Sequence, residues 1–135
     1  MGSGLFDLGR AQQYGIRVGI GSDLGGGTSL SLLANLADAY KIQQLRGASL
    51  DPFQALYLAT LGGARTLGLD GLIGNFLPGR EADFVALDLA ATPMIAQRME
   101  HARGLADTLF VLNTLGDDRA VAATWVLGER RHAKG

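Results

Sequence analysis

Apolar positions recur at helical spacing through the first half of the chain and give way to short β-forming runs in the second. Over residues 5–14, Leu5, Phe6, Leu8 and Ala11 form one apolar side, which predicts a short helix or helical turn ended by Gly15. The run Ile16-Arg17-Val18-Gly19-Ile20 then closes on Gly21, Ser22 and the carboxylate of Asp23. A short apolar run of this kind predicts a strand covered on both faces, as in a parallel sheet. Gly25-Gly26-Gly27 predicts a loop, and Thr28 or Ser29 is placed to cap the next helix. In that helix Leu33, Leu36, Ala37, Tyr40 and Gln44 share the inner stripe. Lys41, Gln43 and Arg46 take mostly the outer side, and Gly47 ends it.

The next helix has the clearest start signal. Asp51 is an N-cap, Pro52 occupies the first helical position and Gln54 completes a capping-box pattern. Its predicted inner stripe is Phe53, Leu56, Ala59, Thr60, Ala64 and Leu67. Gly62-Gly63 lowers helix propensity inside it, which points to close packing against another backbone. Residues 73–80 predict a short strand with a Pro78-Gly79 turn, and residues 82–89 a second strand. One or two helices follow over residues 95–115, around Arg103-Gly104, and residues 121–131 read as a β-hairpin turning at Leu127-Gly128. A lone parallel strand needs neighbours on both edges, and no second buried strand of its kind is present. The pattern therefore predicts part of a larger fold, with no internal repeat.

Composition narrows the class. Hydrophobic residues make up 47% and charged residues 19% of 135 positions, which fits a globular core rather than a disordered chain. Twelve Lys and Arg face 13 Asp and Glu for a net charge of −1, so nucleic acid and anionic membrane are not expected partners. The absence of cysteine excludes disulfides, Cys-ligated zinc and a thiol nucleophile within this sequence. No apolar stretch reaches a membrane span, and no basic segment leads into an apolar core as in a secretory leader, so a cytoplasmic location is expected.

The stretch with chemical potential is Gly21-Ser22-Asp23-Leu24-Gly25-Gly26-Gly27. In a (β/α)8 barrel, reacting groups stand at the C-terminal ends of strands, where a carboxylate can ligate a divalent metal or accept a proton from water. Asp23 is placed there, and the glycines behind it would let a substrate approach the backbone. Spacing alone favours the plainer alternative, an Asp that caps a loop or the next helix. The glycine-rich loop lacks the Lys of a phosphate-binding P-loop. His101 and His132 have no ligand-type partner at i+2 or i+4, and both read as solvated surface residues. Tyr40, Phe53 and Tyr57 at helical spacing read as core aromatics.

Several motifs together carry a resemblance. Gly21-Ser22-Asp23-Leu24-Gly25-Gly26-Gly27-Thr28-Ser29 is followed by Ala37-Asp38-Ala39-Tyr40-Lys41, then Leu58-Ala59-Thr60-Leu61-Gly62-Gly63-Ala64-Arg65. Pro78-Gly79-Arg80-Glu81-Ala82-Asp83-Phe84-Val85 and Leu115-Gly116-Asp117-Asp118-Arg119 continue the series. This series resembles the C-terminal portion of guanine deaminases, in the metal-dependent amidohydrolase superfamily. The resemblance implies an α/β fold: residues 1–70 as the final strand and outer helices of a (β/α)8 barrel, residues 71–135 as part of a small β-sandwich domain. It implies hydrolysis of guanine to xanthine and ammonia, a zinc or iron ion, and a homo-oligomer. It makes Asp23 both the catalytic residue and a metal ligand. The family's His-x-His pair, two further His and a Glu have no counterpart in this sequence, so the chain by itself is not expected to hold metal or turn over guanine. Alternatives within reach of the same residues are another deaminase of the superfamily, of cytosine or triazine type, and a non-catalytic remnant that self-associates through bare sheet edges.

Overall fold

The computed structural model describes residues 4–135. Met1, Gly2 and Ser3, part of the stretch read for a secretory leader, lie outside them. The order of elements is α1 (Leu8–Gln13), α2 (Leu32–Leu45), α3 (Pro52–Ala59), α4 (Leu61–Thr66), β1 (Phe84–Leu87), α5 (Pro93–Met99), α6 (Leu105–Leu115), β2 (Val121–Val126) and β3 (Glu129–Ala133). A 3-10 turn over Asp118–Ala120 leads into β2.

Local signals explain most boundaries. Asp7 caps α1 by accepting from the Arg10 amide, and Gly15 leaves it at φ 67°. Asp51 Oδ1 accepts from the amides of Phe53 and Gln54 at 2.9 and 3.2 Å, with Pro52 opening α3 as expected. The start of α2 differs from expectation. Ser31, rather than Thr28 or Ser29, accepts from the Ala34 amide, while Ser29 Oγ accepts from the Ser31 amide and shapes the approach.

The inner stripe of α2 holds over Leu33, Leu36, Ala37 and Tyr40 and departs only at its end, whereas the stripe after Asp51 is rotated from its predicted phase. In α2 the buried residues are Leu36, Ala37 and Gln43, and Gln44 is exposed. Gln43 is admitted to the interior because its side-chain amide donates to the Phe6 carbonyl at 3.0 Å, so the polar group is not orphaned. Arg46 stays exposed, as expected, and binds the Leu5 carbonyl and the Asp7 carboxylate. The predicted helix after Asp51 is two helices. Thr60, at φ −124° and ψ −104°, breaks it, and its hydroxyl donates to the Leu56 carbonyl at 2.7 Å. Ala55, Leu58, Gly62 and Ala64 face inward, whereas Phe53, Thr60 and Leu67 are exposed.

The predicted strand over residues 16–20 is not one. Residues 16–23 run without turn or bend, yet among the described residues they have no ladder partner, and residues 17–22 make a single backbone hydrogen bond there, from the Ile20 amide to the Leu58 carbonyl at 3.0 Å. The segment lies on helices rather than in a sheet, with Val18 and Ile20 packed on a core of Leu8, Leu36, Leu50, Ala55 and Leu58. Nor do residues 73–80 form a strand. Gly74 at φ 94° sits against Ala64 and Leu61, and the Pro78-Gly79 turn returns the chain so that Glu81 donates to the Leu72 carbonyl.

The sheet is antiparallel in the order β1-β2-β3. Phe84 faces Trp125 in register, and their rings stack at 4.5 Å and 12°. The hairpin turn puts both Leu127 (φ 54°) and Gly128 (φ 77°) in the left-handed region that suits the twist of paired strands. Asp83 stabilises it by accepting from the Leu127 amide at 2.7 Å. His132, read as a solvated surface residue, is on β3 and exposed.

α6 joins the two halves of the sequence. It packs on α2, α3 and α5, with Tyr40 and Phe110 meeting edge to face at 5.4 Å and Asn113 donating to the Pro52 carbonyl at 3.0 Å.

Two outcomes follow for stability. Leu36→Ala, at a fully buried position, lowers stability by about 3 kcal/mol in denaturant titration. Leu127→Gly relieves a positive φ on an exposed leucine and raises the melting temperature, corresponding to about 1 kcal/mol.

Candidate functional site

The candidate site is built on the turn that ends the extended segment. Asp23 adopts φ 45°, and its carbonyl accepts from the amides of Gly26 and Gly27. Gly25 at φ 115° continues the turn, and a bridge between Leu24 and Gly27 closes it. A Cβ on Gly27 would overlap the Ser22 carbonyl oxygen. Gly25 and Gly27 are thus required by the turn's own backbone. Asp is among the few non-glycine residues that tolerate this region, at a cost of roughly 1 kcal/mol.

The Asp23 side chain is exposed, and among the described residues it makes no hydrogen bond or ion pair. It stands outside any helix, at the tip of residues 16–22, with every polar valence of its carboxylate open. The structure brings neither histidine to it. His101 is exposed in the turn after α5, with Arg98, Arg103, Asp107 and Phe110 around a shallow hollow of about 400 Å³. A second hollow, of about 510 Å³, is lined by Thr92, Met94, Gln97, Leu115 and Arg119, and neither includes a residue of the 21–29 loop. Among the described residues no three His, Asp or Glu side chains gather closely enough to hold a metal ion. A tight site takes three or four such donors, so Asp23 alone does not fit one.

Other motif residues are engaged structurally. Arg65 donates to the Tyr57 hydroxyl at 2.9 Å and lies over its ring, its carbonyl accepts from Arg17, and the Tyr57 contact holds its guanidinium above the usual range. Tyr57 is therefore a half-exposed strut between α3 and α4 and not a core aromatic. Gly116 leaves no room for a Cβ beside the Leu112 carbonyl and Leu33. Asp117 caps the turn into β2 and takes both the amide and the guanidinium of Arg119, whose hydrogen bonds hold its carboxyl below the usual range.

The amidohydrolase family profile matches residues 1–131. The chain belongs to the amidohydrolase family. It is 53% identical over 128 residues to a guanine deaminase of Escherichia coli, covering 95% of this chain and 29% of that protein. It is 46% identical to a probable guanine deaminase of Deinococcus radiodurans, over 95% of this chain and 30% of the relative. The solved structure of the E. coli guanine deaminase superposes with a TM-score of 0.96 at 51% identity, covering 99% of this chain and 31% of the other. The chain thus spans about 30% of the length of these relatives. The mixed α and β fold read from the sequence agrees with this match. Amidohydrolases are typically metal-dependent, and the donors described above do not by themselves satisfy that requirement.

The Gly19 contact described below and the inward turn of Gln43 were missed. Neither residue type signals its partner in a single sequence, although Gly62-Gly63 did signal a close backbone approach. The left-handed Asp23 had a usable signal in the Asp-Leu-Gly-Gly-Gly run, since Asp and Gly are the residues such a turn selects.

The Asp117 geometry fixes a pH response. A folded-state pKa below the unfolded value adds stability above the unfolded pKa, and that stability is lost as pH falls through the folded one. Asp117→Asn therefore melts earlier than the parent at pH 7, and the two melting curves converge under acid once the carboxyl is protonated in both states.

Proposed function

We propose that this chain forms the C-terminal portion of a guanine deaminase, which hydrolyses guanine to xanthine and ammonia. In this reading residues 1–70 complete a (β/α)8 barrel and residues 71–135 contribute to a small β-rich domain. The observation that carries it is Asp23. The carboxylate stands at the end of an extended apolar segment, in a positive-φ turn and without a hydrogen-bond or ion-pair partner among the described residues. Strained residues of this kind gather where chemistry needs a side chain aimed outward. The likeness to two guanine deaminases at 46% and 53% identity supports the substrate.

Asp23 acts as the proton acceptor. As the water oxygen bonds to the amino-bearing ring carbon, the carboxylate takes a water proton and delivers it to the departing amine, which leaves as ammonia. Asp23 would also be one donor to a zinc or iron ion, which would supply activation of the attacking water. The remaining donors and the groups that read the purine would come from outside this chain, a reading supported by the lack of a three-donor cluster among the described residues. A homo-oligomer in the cytoplasm, without nucleic acid or membrane as partner, fits the balanced charge and the free sheet edges. No helix among the described residues is long and apolar enough to cross a membrane.

The test uses the chain alone and a chimera in which it replaces the matching segment of the E. coli guanine deaminase. The chain alone holds less than one zinc per molecule by elemental analysis and releases no ammonia from guanine. The chimera turns guanine over, and Asp23→Asn lowers its kcat by about 100-fold or more. A chimera that folds and binds metal yet leaves guanine unchanged, or one in which Asp23→Asn retains full kcat, overturns the proposal.

A further inference from the structure

We infer that Gly19 is a positioning residue: its bare Cα, pressed on the backbone of α4, sets the depth at which the segment leading to Asp23 lies. The inference rests on the role proposed for Asp23. A Cβ built on Gly19 would stand 2.8 Å from the Gly63 Cα, 3.4 Å from the Gly63 amide nitrogen and 3.5 Å from Thr66 Oγ1. The obstructing atoms nearest to it are backbone within a helix and cannot swing aside.

The neighbouring contacts show why this spot governs the segment. The adjoining Ile20 amide bonds to the Leu58 carbonyl at 3.0 Å, and Val18 and Ile20 enter the core on either side of Gly19. Thr66 is itself fixed, since its hydroxyl donates to the Gly62 carbonyl at 2.9 Å. Arg17 adds a bond to the Arg65 carbonyl at 3.3 Å. Each attachment draws residues 17–20 onto the α3–α4 junction, and the glycine-to-backbone contact is the stop against which they draw. Three residues separate Gly19 from Asp23, and these residues, 20–22, carry no turn or bend to absorb a shift. A methyl at position 19 therefore lifts the segment and carries the carboxylate with it. A misplacement of about 1 Å is enough to cost roughly 100-fold in rate when a reacting group must be aligned.

The glycine pair on the helix side offers a contrast. A Cβ on Gly62 would meet the Tyr57 carbonyl at 2.8 Å and the Tyr57 ring at 2.9 Å, a clash inside the α3–α4 junction. Gly62→Ala therefore destabilises without pressing on residues 17–20.

The experiment compares Gly19→Ala, Ile20→Ala and Gly62→Ala in the chimera described above, with kcat, KM and melting temperature read for each. Amide hydrogen exchange at position 20 is read in the 135-residue chain. Gly19→Ala is expected to lower kcat by roughly 100-fold with KM within about twofold, and to speed exchange at the Ile20 amide at least about tenfold. Ile20→Ala loosens the same segment by deletion, and its kcat falls about tenfold even if Gly19→Ala does not fold. Gly62→Ala lowers the melting temperature and keeps the parental kcat. Unchanged exchange and kcat in the two segment variants, or an equal fall of kcat in Gly62→Ala, overturns the positioning role. Failure of the parent chimera to deaminate guanine refutes the functional reading instead, and exchange at position 20 still decides whether Gly19 sets the segment's depth.

Discussion

The structure depends on one contact geometry: an extended apolar segment laid directly on a helix junction, with almost no backbone pairing of its own. Among the described residues, residues 17–22 make a single backbone hydrogen bond, so their position is decided by Val18 and Ile20 packing on the core and by the closeness that Gly19 allows. Everything that the Asp23 turn offers chemically is delivered by this arrangement. Apart from the Ile20 amide, residues 17–22 leave their amides and carbonyls without backbone partners among the described residues, a condition stable proteins ordinarily relieve by pairing with further strands. That need agrees with a chain spanning about 30% of the relatives it matches.

What could be read in the sequence was local. Asp51-Pro52 opened α3 where the capping rules put it, and the hairpin turned at Leu127-Gly128. The helices on either side of Arg103-Gly104 appeared as expected, with the first beginning at Pro93. What could not be read was phase and pairing. Helical spacing put Gln44 inside and Gln43 outside, whereas Gln43 is the buried one, its side-chain amide on the Phe6 carbonyl. Residues 16–20 and 73–80 have strand composition, but a strand exists only where a partner lies alongside, and composition carries no record of that.

The candidate site divides along the same line. Asp23 and its glycines were visible as a motif, whereas its left-handed backbone and open carboxylate belong to the turn's three-dimensional closure. The motif Leu115-Gly116-Asp117-Asp118-Arg119 turns out to work in packing and capping. Gly116 lets α6 end tightly against Leu33, and Asp117 joined to Arg119 steers the chain into β2. Because α6 also rests on α2 and α3, this corner couples the small sheet to the helices that carry the Asp23 segment.

The outermost strand of that sheet is fully solvated and spells Glu129-Arg130-Arg131-His132-Ala133. A row of ionic side chains is a poor template for a stranger's backbone, because docking there would strip water from like charges on neighbouring arginines. The sheet is therefore guarded on its β3 flank and open on its β1 flank, where Val85 is exposed and no such charges stand. Growth of the sheet by an added strand is polarised to one side.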